Sequence, residues 1–148
     1  MSISHGSSLK ARALKLLSMR EHTRLELERK LRVHAESPEQ LAQALDALQA
    51  KGFINEARVV ESVLHRRAAR LGASRVRQEL QAKGVTDSVI SDAMQQLRST
   101  ELARAREVWS KKFGQPPADA KERVKQIRFL ISRGFGAEVV RRVVQDAD

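Results

Sequence analysis

Apolar side chains fall at intervals of three and four along most of this chain, the spacing of amphipathic helices, and no convincing strand pattern interrupts them. The clearest block is LGASRVRQELQAKGVTDSVISDAMQQL, residues 71–97. Val76 and Leu80 lie four apart on one helical face, and Gly84 stands where a chain leaving a helix needs positive φ. Thr86 and Asp87 offer a cap and a first-turn charge to a second helix, whose stripe is Ile90, Ala93, Met94 and Leu97.

The same unit recurs downstream. Leu130, Arg133, Gly134 and Phe135 repeat Leu80, Lys83, Gly84 and Val85, and the stripe returns as Val140, Val143, Val144 and Ala147. Upstream the match is looser, because Leu31 is followed by a longer joint, His34 to Ser37, without glycine. Leu41, Ala44, Leu45 and Leu48 restore the spacing. Three copies of a helical unit of about 45 residues follow, a period that signals an array. LQAKGF (48–53) and LQAKGV (80–85) nearly coincide but close different helices of their units, so they share ending chemistry only.

Start and stop signals place nine helices. The first runs from Leu9 or Ala11 to about Met19, with Ala13, Leu14, Leu16 and Leu17 available for a core. Thr23 and Glu26 form a capping box, followed by Leu27 and Leu31. Ser37, Pro38 and Gln40 open the third helix, which ends near Lys51 and Gly52. Asn55 caps the fourth, with Val59, Val60, Val63 and Leu64, ending basic at Arg66, Arg67 and Arg70 before Gly72. Ser99 or Thr100 opens the seventh, built on Ala105, Val108, Trp109 and Phe113 and stopped by Gly114, Pro116 and Pro117. Asp119 and Glu122 make another box for the eighth, with Val124, Ile127, Leu130 and Ile131 directed inward. The ninth, from Gly136 to about Gln145, is valine-rich and depends on tertiary packing. An all-α array is expected, with a disordered start at 1–8 and three-helix units at 9–54, 55–98 and 99–148. Three bundles in a row would span roughly 60 to 70 Å.

Charge says more about partners than composition does. The net charge is +10, and dividing the chain at 54 and 98 gives +3, +3 and +4, so no single tail carries it. An evenly spread excess implies a basic surface facing a polyanion or a strongly acidic protein. Cysteine is absent, which removes disulfides and thiolate metal sites and suits a reducing cytosol. No apolar run is long enough for a membrane span, and the first twelve residues lack a signal peptide's apolar run.

Candidate chemistry is sparse. His5, His22, His34 and His65 are scattered, without metal-ligand spacing, and the glycines stand singly at helix ends rather than in a phosphate-cradling loop. No nucleophile or acid/base pair presents itself, so neither enzyme activity nor a cofactor is expected. Two binding roles remain. A helix-turn-helix DNA reader would insert helix six into the major groove, but its outward face carries Asp87, Asp92, Gln95 and Gln96, which phosphates would repel. The other role is a protein lying along a filament through a long basic edge.

With these residues in order, the chain resembles the RecX family, regulators of the RecA recombinase. The carriers are REHTRLELERKL (20–31), GFINEARVVES (52–62), the segment from Leu71 to Ile90, WSKKFGQPP (109–117) and RFLISRGF (128–135). The joint departs from the family pattern: Asn55, Glu56, Val59 and Val63 stand where Asn-Asp, Phe and Tyr are usual.

The resemblance implies a cytoplasmic, monomeric, all-helical protein of three tandem three-helix units, acting in DNA repair, homologous recombination and the SOS response. It would bind RecA, especially the filament on single-stranded DNA, and restrain filament growth, ATP hydrolysis and strand exchange. Direct binding to single-stranded DNA would be weak and salt-sensitive. Contacts are expected at Arg66, Arg67, Arg70, Arg75, Arg77 and Lys83 in the middle unit, and at Lys111, Lys112, Arg128 and Arg133 in the third. The alternative is a helix-turn-helix DNA-binding protein independent of RecA.

Overall fold

Helix-forming stripes, each closed by a cap or a glycine, fold this chain into an elongated all-α array. The computed structural model describes residues 8–146, and among them there are nine α-helices and no strand. They are α1 (Ser8–Met19), α2 (Arg24–Leu31), α3 (Pro38–Ala50), α4 (Glu56–Arg67), α5 (Ala73–Ala82), α6 (Asp87–Arg98), α7 (Glu101–Lys112), α8 (Ala120–Ser132) and α9 (Ala137–Asp146). A short 3-10 turn, Arg32–His34, follows α2. Of the segment expected to be irregular, residues 1–7 lie outside the described residues, and Ser8 is already helical. Ala147, expected to complete the last stripe, also lies outside them.

Each set of three helices closes over its own apolar cluster. Leu9, Ala13, Leu27, Leu31, Leu41, Ala44, Leu45, Leu48 and Ile54 form the first. Val59, Val60, Val63, Val76, Leu80, Val85 and the α6 stripe form the second. Ala105, Leu130, Phe135, Val140, Val143 and Val144 form the third. The third core is small, and the buried Gln126 with the half-buried Trp109 completes it: Trp109 Nε1 donates to Gln126 Oε1 at 2.8 Å, and Gln126 Nε2 donates to the Gln115 carbonyl at 3.1 Å. A buried amide is tolerated because both its ends are bonded.

The caps follow local chemistry, with departures at Ser37 and Thr86. Thr23 and Glu26 form the full reciprocal box, and Asn55 accepts from the Arg58 amide. Ser37 accepts from the Gln40 amide, but Gln40 reaches past the cap to the Glu36 amide at 2.7 Å. Thr86 does not cap α6: its hydroxyl and amide both donate to the Glu56 carboxylate of α4, which thereby ties two helix starts together. Asp119 accepts from the Glu122 amide. Val124 and Ile131, expected inside, are 46% and 43% exposed, and Leu14 is 38% exposed. Ile127 and Leu130 face inward as expected, and Gln126, which bonds Trp109, is the buried residue beside them, so the inward face is centred nearer 126–130 than the stripe through 124 and 131.

Two joints link the units, and they are built alike. At the first, the turn after α5 seats on the start of α2. The Thr23 hydroxyl donates to the Lys83 carbonyl, Arg29 donates to the Ala82 carbonyl at 3.2 Å, and Lys83 Nζ pairs with Glu26 at 3.2 Å. At the second, the turn after α8 seats on the start of α5. The Gly72 amide donates to the Arg133 carbonyl at 2.8 Å, Ser74 Oγ to the Gly134 carbonyl at 3.0 Å, and Arg75 to the Ser132 carbonyl at 2.8 Å.

In both joints carbonyls at a helix C-terminus are satisfied by donors of the preceding module. Two of the turn glycines are required twice over. Gly84 and Gly134 have φ of +82° and +92°, and a Cβ at either would run into Leu25 or Arg75.

Two charged residues of α7 lock the second joint. Glu101, buried, accepts from the Ala73 amide at 2.7 Å and so caps α5, whose own cap residue, Gly72, has no side chain. Arg104 donates to the carbonyls of Ala68 and Leu71, each at 2.7 Å, and of Leu97 at 3.1 Å. Burial lowers the Arg104 pKa, and the Glu101 charge opposes that shift.

Candidate functional site

The ten cations singled out from the sequence separate into five environments. Lys83 and Arg75 belong to the joints. The Lys83 side chain is 15% exposed between Glu26 and Glu79, and the Arg75 guanidinium holds the Ser132 carbonyl. They look like surface cations in sequence because the partners that hold them across the joints, Glu26 and Ser132, lie more than fifty residues away.

Arg66 and Arg67, in the last turn of α4, share the Glu79 carboxylate of α5 at 3.7 and 3.1 Å, and their side chains remain nearly half exposed. One carboxylate between two guanidiniums leaves that corner positive. Arg77 is exposed on α5.

Four of the ten come together where the second and third units meet. The loop after α4, the C-terminal half of α7 and the end of α8 border a cleft of about 400 Å³ lined by Arg70, Lys111, Lys112 and Arg133. Its floor is Val108 and Phe129. Lys112 Nζ and the Arg133 guanidinium stand over the Phe129 ring at 5.2 and 4.9 Å, and Phe113 meets that ring edge-on at 5.5 Å. Cations over an aromatic face are held in place with their outer N–H groups still free to donate. Glu107 at the mouth lies 3.8 Å from Lys111, in an exposed pair of little energetic weight.

Such a cleft offers several donors and a partly apolar floor to an anion. It holds no nucleophile or acid/base pair, and among the described residues no group of His, Asp and Glu is arranged to hold a metal. Phe129 was not anticipated as part of this site. Its spacing of four from both Lys125 and Arg133 on α8 was the available signal.

Arg128 lies apart from the cleft, on another face of α8 with Lys121 and Lys125, beside a groove of about 820 Å³. No helix among the described residues is long and apolar enough to cross a membrane.

Comparison with known proteins gives this geometry a context. Residues 55–94 match the family model described as RecX, second three-helix domain, and residues 99–144 match RecX, third three-helix domain. A regulatory protein RecX from Leptothrix cholodnii is 57% identical, covering 95% of this chain and 90% of its own length. One from Ralstonia nicotianae is 49% identical over 95% of this chain and 89% of its own. The crystal structure of RecX from Lactobacillus salivarius superposes with a TM-score of 0.77 at 22% identity, covering 98% and 97% of the two chains, a likeness of fold.

Proposed function

The chain belongs to the RecX family, and from that premise we propose that it binds the RecA recombinase and its filament on single-stranded DNA. Binding would restrain filament extension, ATP hydrolysis and strand exchange. The segments 9–54, 55–98 and 99–148 would act as successive modules along the filament, in the cytoplasm, each protein engaging as a monomer.

The observation that carries this reading is the cleft between the second and third units, where Arg70, Lys111, Lys112 and Arg133 face outward around Phe129. Arg66 and Arg67, close by in sequence, extend the positive surface. Together these groups suit phosphates or carboxylates on the filament. Lys83 and Arg75 support it only indirectly, by holding the modules in register. The helix-turn-helix alternative is disfavoured, since Asp87, Asp92, Gln95 and Gln96 all lie exposed on α6.

The test is the DNA-stimulated ATPase of RecA with this protein in excess. Hydrolysis should fall as the protein is added, and Arg70→Glu/Lys111→Glu/Lys112→Glu should need at least about tenfold more protein for the same effect, a loss of about 1.4 kcal/mol. An ATPase unchanged by the wild-type chain would overturn the reading.

A further inference from the structure

The joint that is used twice inside the chain has a third, uncovered counterpart on α8. Counting back from the buried leucine that closes each second helix (Leu31, Leu80 and Leu130) aligns Leu25, Ser74 and Val124, then Glu26, Arg75 and Lys125, then Arg29, Gln78 and Arg128. In the first unit Leu25, Glu26 and Arg29 receive the Ala82–Gly84 turn, and in the second Ser74 and Arg75 receive the Ser132–Gly134 turn.

In the third unit the equivalent face borders the groove of about 820 Å³ already described. Val124 is 46% exposed there, and the side chains of Lys121, Lys125 and Arg128 make no hydrogen bond or ion pair among the described residues. Because α8 starts one turn earlier than its counterparts, with Asp119 as cap, its amides at this level are used within the helix. Side-chain cations are the donors that remain.

We propose that this face of α8 docks the last turn of a helix on a partner protein, a turn with a left-handed glycine preceded by an Asp or Glu. The glycine is required for the reason it is required at Gly84 and Gly134: a Cβ would strike the receiving helix. The acidic residue follows from charge. Glu26 in the first socket takes Lys83 and Arg75 in the second takes the Ser132 carbonyl; the third presents Lys125 together with Lys121 and Arg128, three cations against Asp119 and Glu122 along the groove, and that excess favours an acidic neighbour.

A second copy of this chain does not fit. Its first-unit turn has Ala35 at φ −90° where the other turns have glycine, and His34 and Arg32 beside it would face Lys121, Lys125 and Arg128.

The inference rests on the reading above in taking the RecA filament as its probe. A photo-reactive phenylalanine analogue in place of the exposed Val124 is to be irradiated with RecA filaments on single-stranded DNA. Filament binding by the wild-type chain and by Lys125→Glu/Arg128→Glu is measured in parallel, with helical content checked by circular dichroism. The cross-link should map to a helix-ending turn of RecA containing glycine beside an acidic residue, and the double reversal should weaken binding about tenfold. If the wild-type chain binds but the cross-link falls on DNA, on a second copy or nowhere, or the reversal changes binding less than twofold, the docking face is refuted while the RecA reading stands. If the wild-type chain does not bind the filament, both fall.

Discussion

Gly72 looks like an ordinary helix boundary, and its φ of −79° asks nothing unusual of the backbone. Its constraint is spatial: a Cβ there would overlap the carbonyl of Gly134, the residue that itself sits in the left-handed region. Gly72→Ala should therefore destabilise the second joint, and Gly84→Val or Gly134→Val should each cost more than about 1 kcal/mol because strain and clash add. Thermal unfolding checks all three, and unchanged midpoints would contradict the joint geometry.

Glu26 is the other decisive residue. Burial pushes its carboxyl upward, but hydrogen bonds from Arg20, the Thr23 amide and Lys83 outweigh this and hold it at about 2 against an ordinary 4.5. His22 next to it is held below its ordinary 6.5, chiefly by burial and also by Arg20 and Lys30, although its bond to the Arg20 carbonyl opposes the shift. A depressed carboxyl contributes stability that is complete above pH 4.5 and lost as pH falls toward 2, and a depressed histidine contributes stability lost as pH falls below 6.5. The first joint should thus weaken with acid in two stages. Denaturant midpoints recorded against pH should fall across both ranges, and Glu26→Gln, which costs about 2 kcal/mol at neutral pH, should flatten the lower one. An identical acid slope in that variant would show that Glu26 is not the group responsible.

At the scale of helices, the signals that act over three or four residues were readable. The Thr23 box, the Asn55 and Ser37 caps, and the glycine stops at 52, 84 and 134 depend on neighbours in sequence and stand where that chemistry puts them. Whatever depends on a distant partner was not. Thr86 gives its hydrogen bonds to Glu56, and Glu101 caps α5 from a different unit.

Val124 and Ile131 illustrate a second limit, since an apolar residue on a helix names a face but not what covers it. The α8 core is instead completed by Gln126, a residue that periodicity alone assigns to solvent. Arg104 is the strongest case. It looks like one more surface cation, yet it satisfies three carbonyls at the ends of α4 and α6 and in the loop after α4. Arg104→Met should cost about 2 kcal/mol and raise amide hydrogen exchange across 68–73, whereas unchanged exchange there would remove Arg104 from the joint.

For the whole molecule, triplication and a distributed charge pointed to an array with a basic side, and the hydrophobic clusters close unit by unit. The number and order of units were legible because each carries its own stripe. Which cations remain available was not, because two of the ten are consumed in holding neighbouring units together and two more share one carboxylate. The cleft around Phe129 lies between the second and third units, so the integrity of the second joint and the surface proposed for binding are one structural matter. Joint variants should lose filament affinity along with stability, while cleft variants should lose affinity alone.

The most direct measurement is fluorescence anisotropy of the labelled chain titrated with RecA filaments on single-stranded DNA at several salt concentrations, for the wild type and for Arg70→Glu/Lys111→Glu/Lys112→Glu. If the cleft is the contact and faces the DNA strand, wild-type affinity should fall by roughly 3 log units per decade of salt, about 0.7 for each of four phosphate contacts, and the folded triple variant should bind at least tenfold more weakly with a shallower slope. Equal affinity and equal salt dependence in the two proteins would contradict the account.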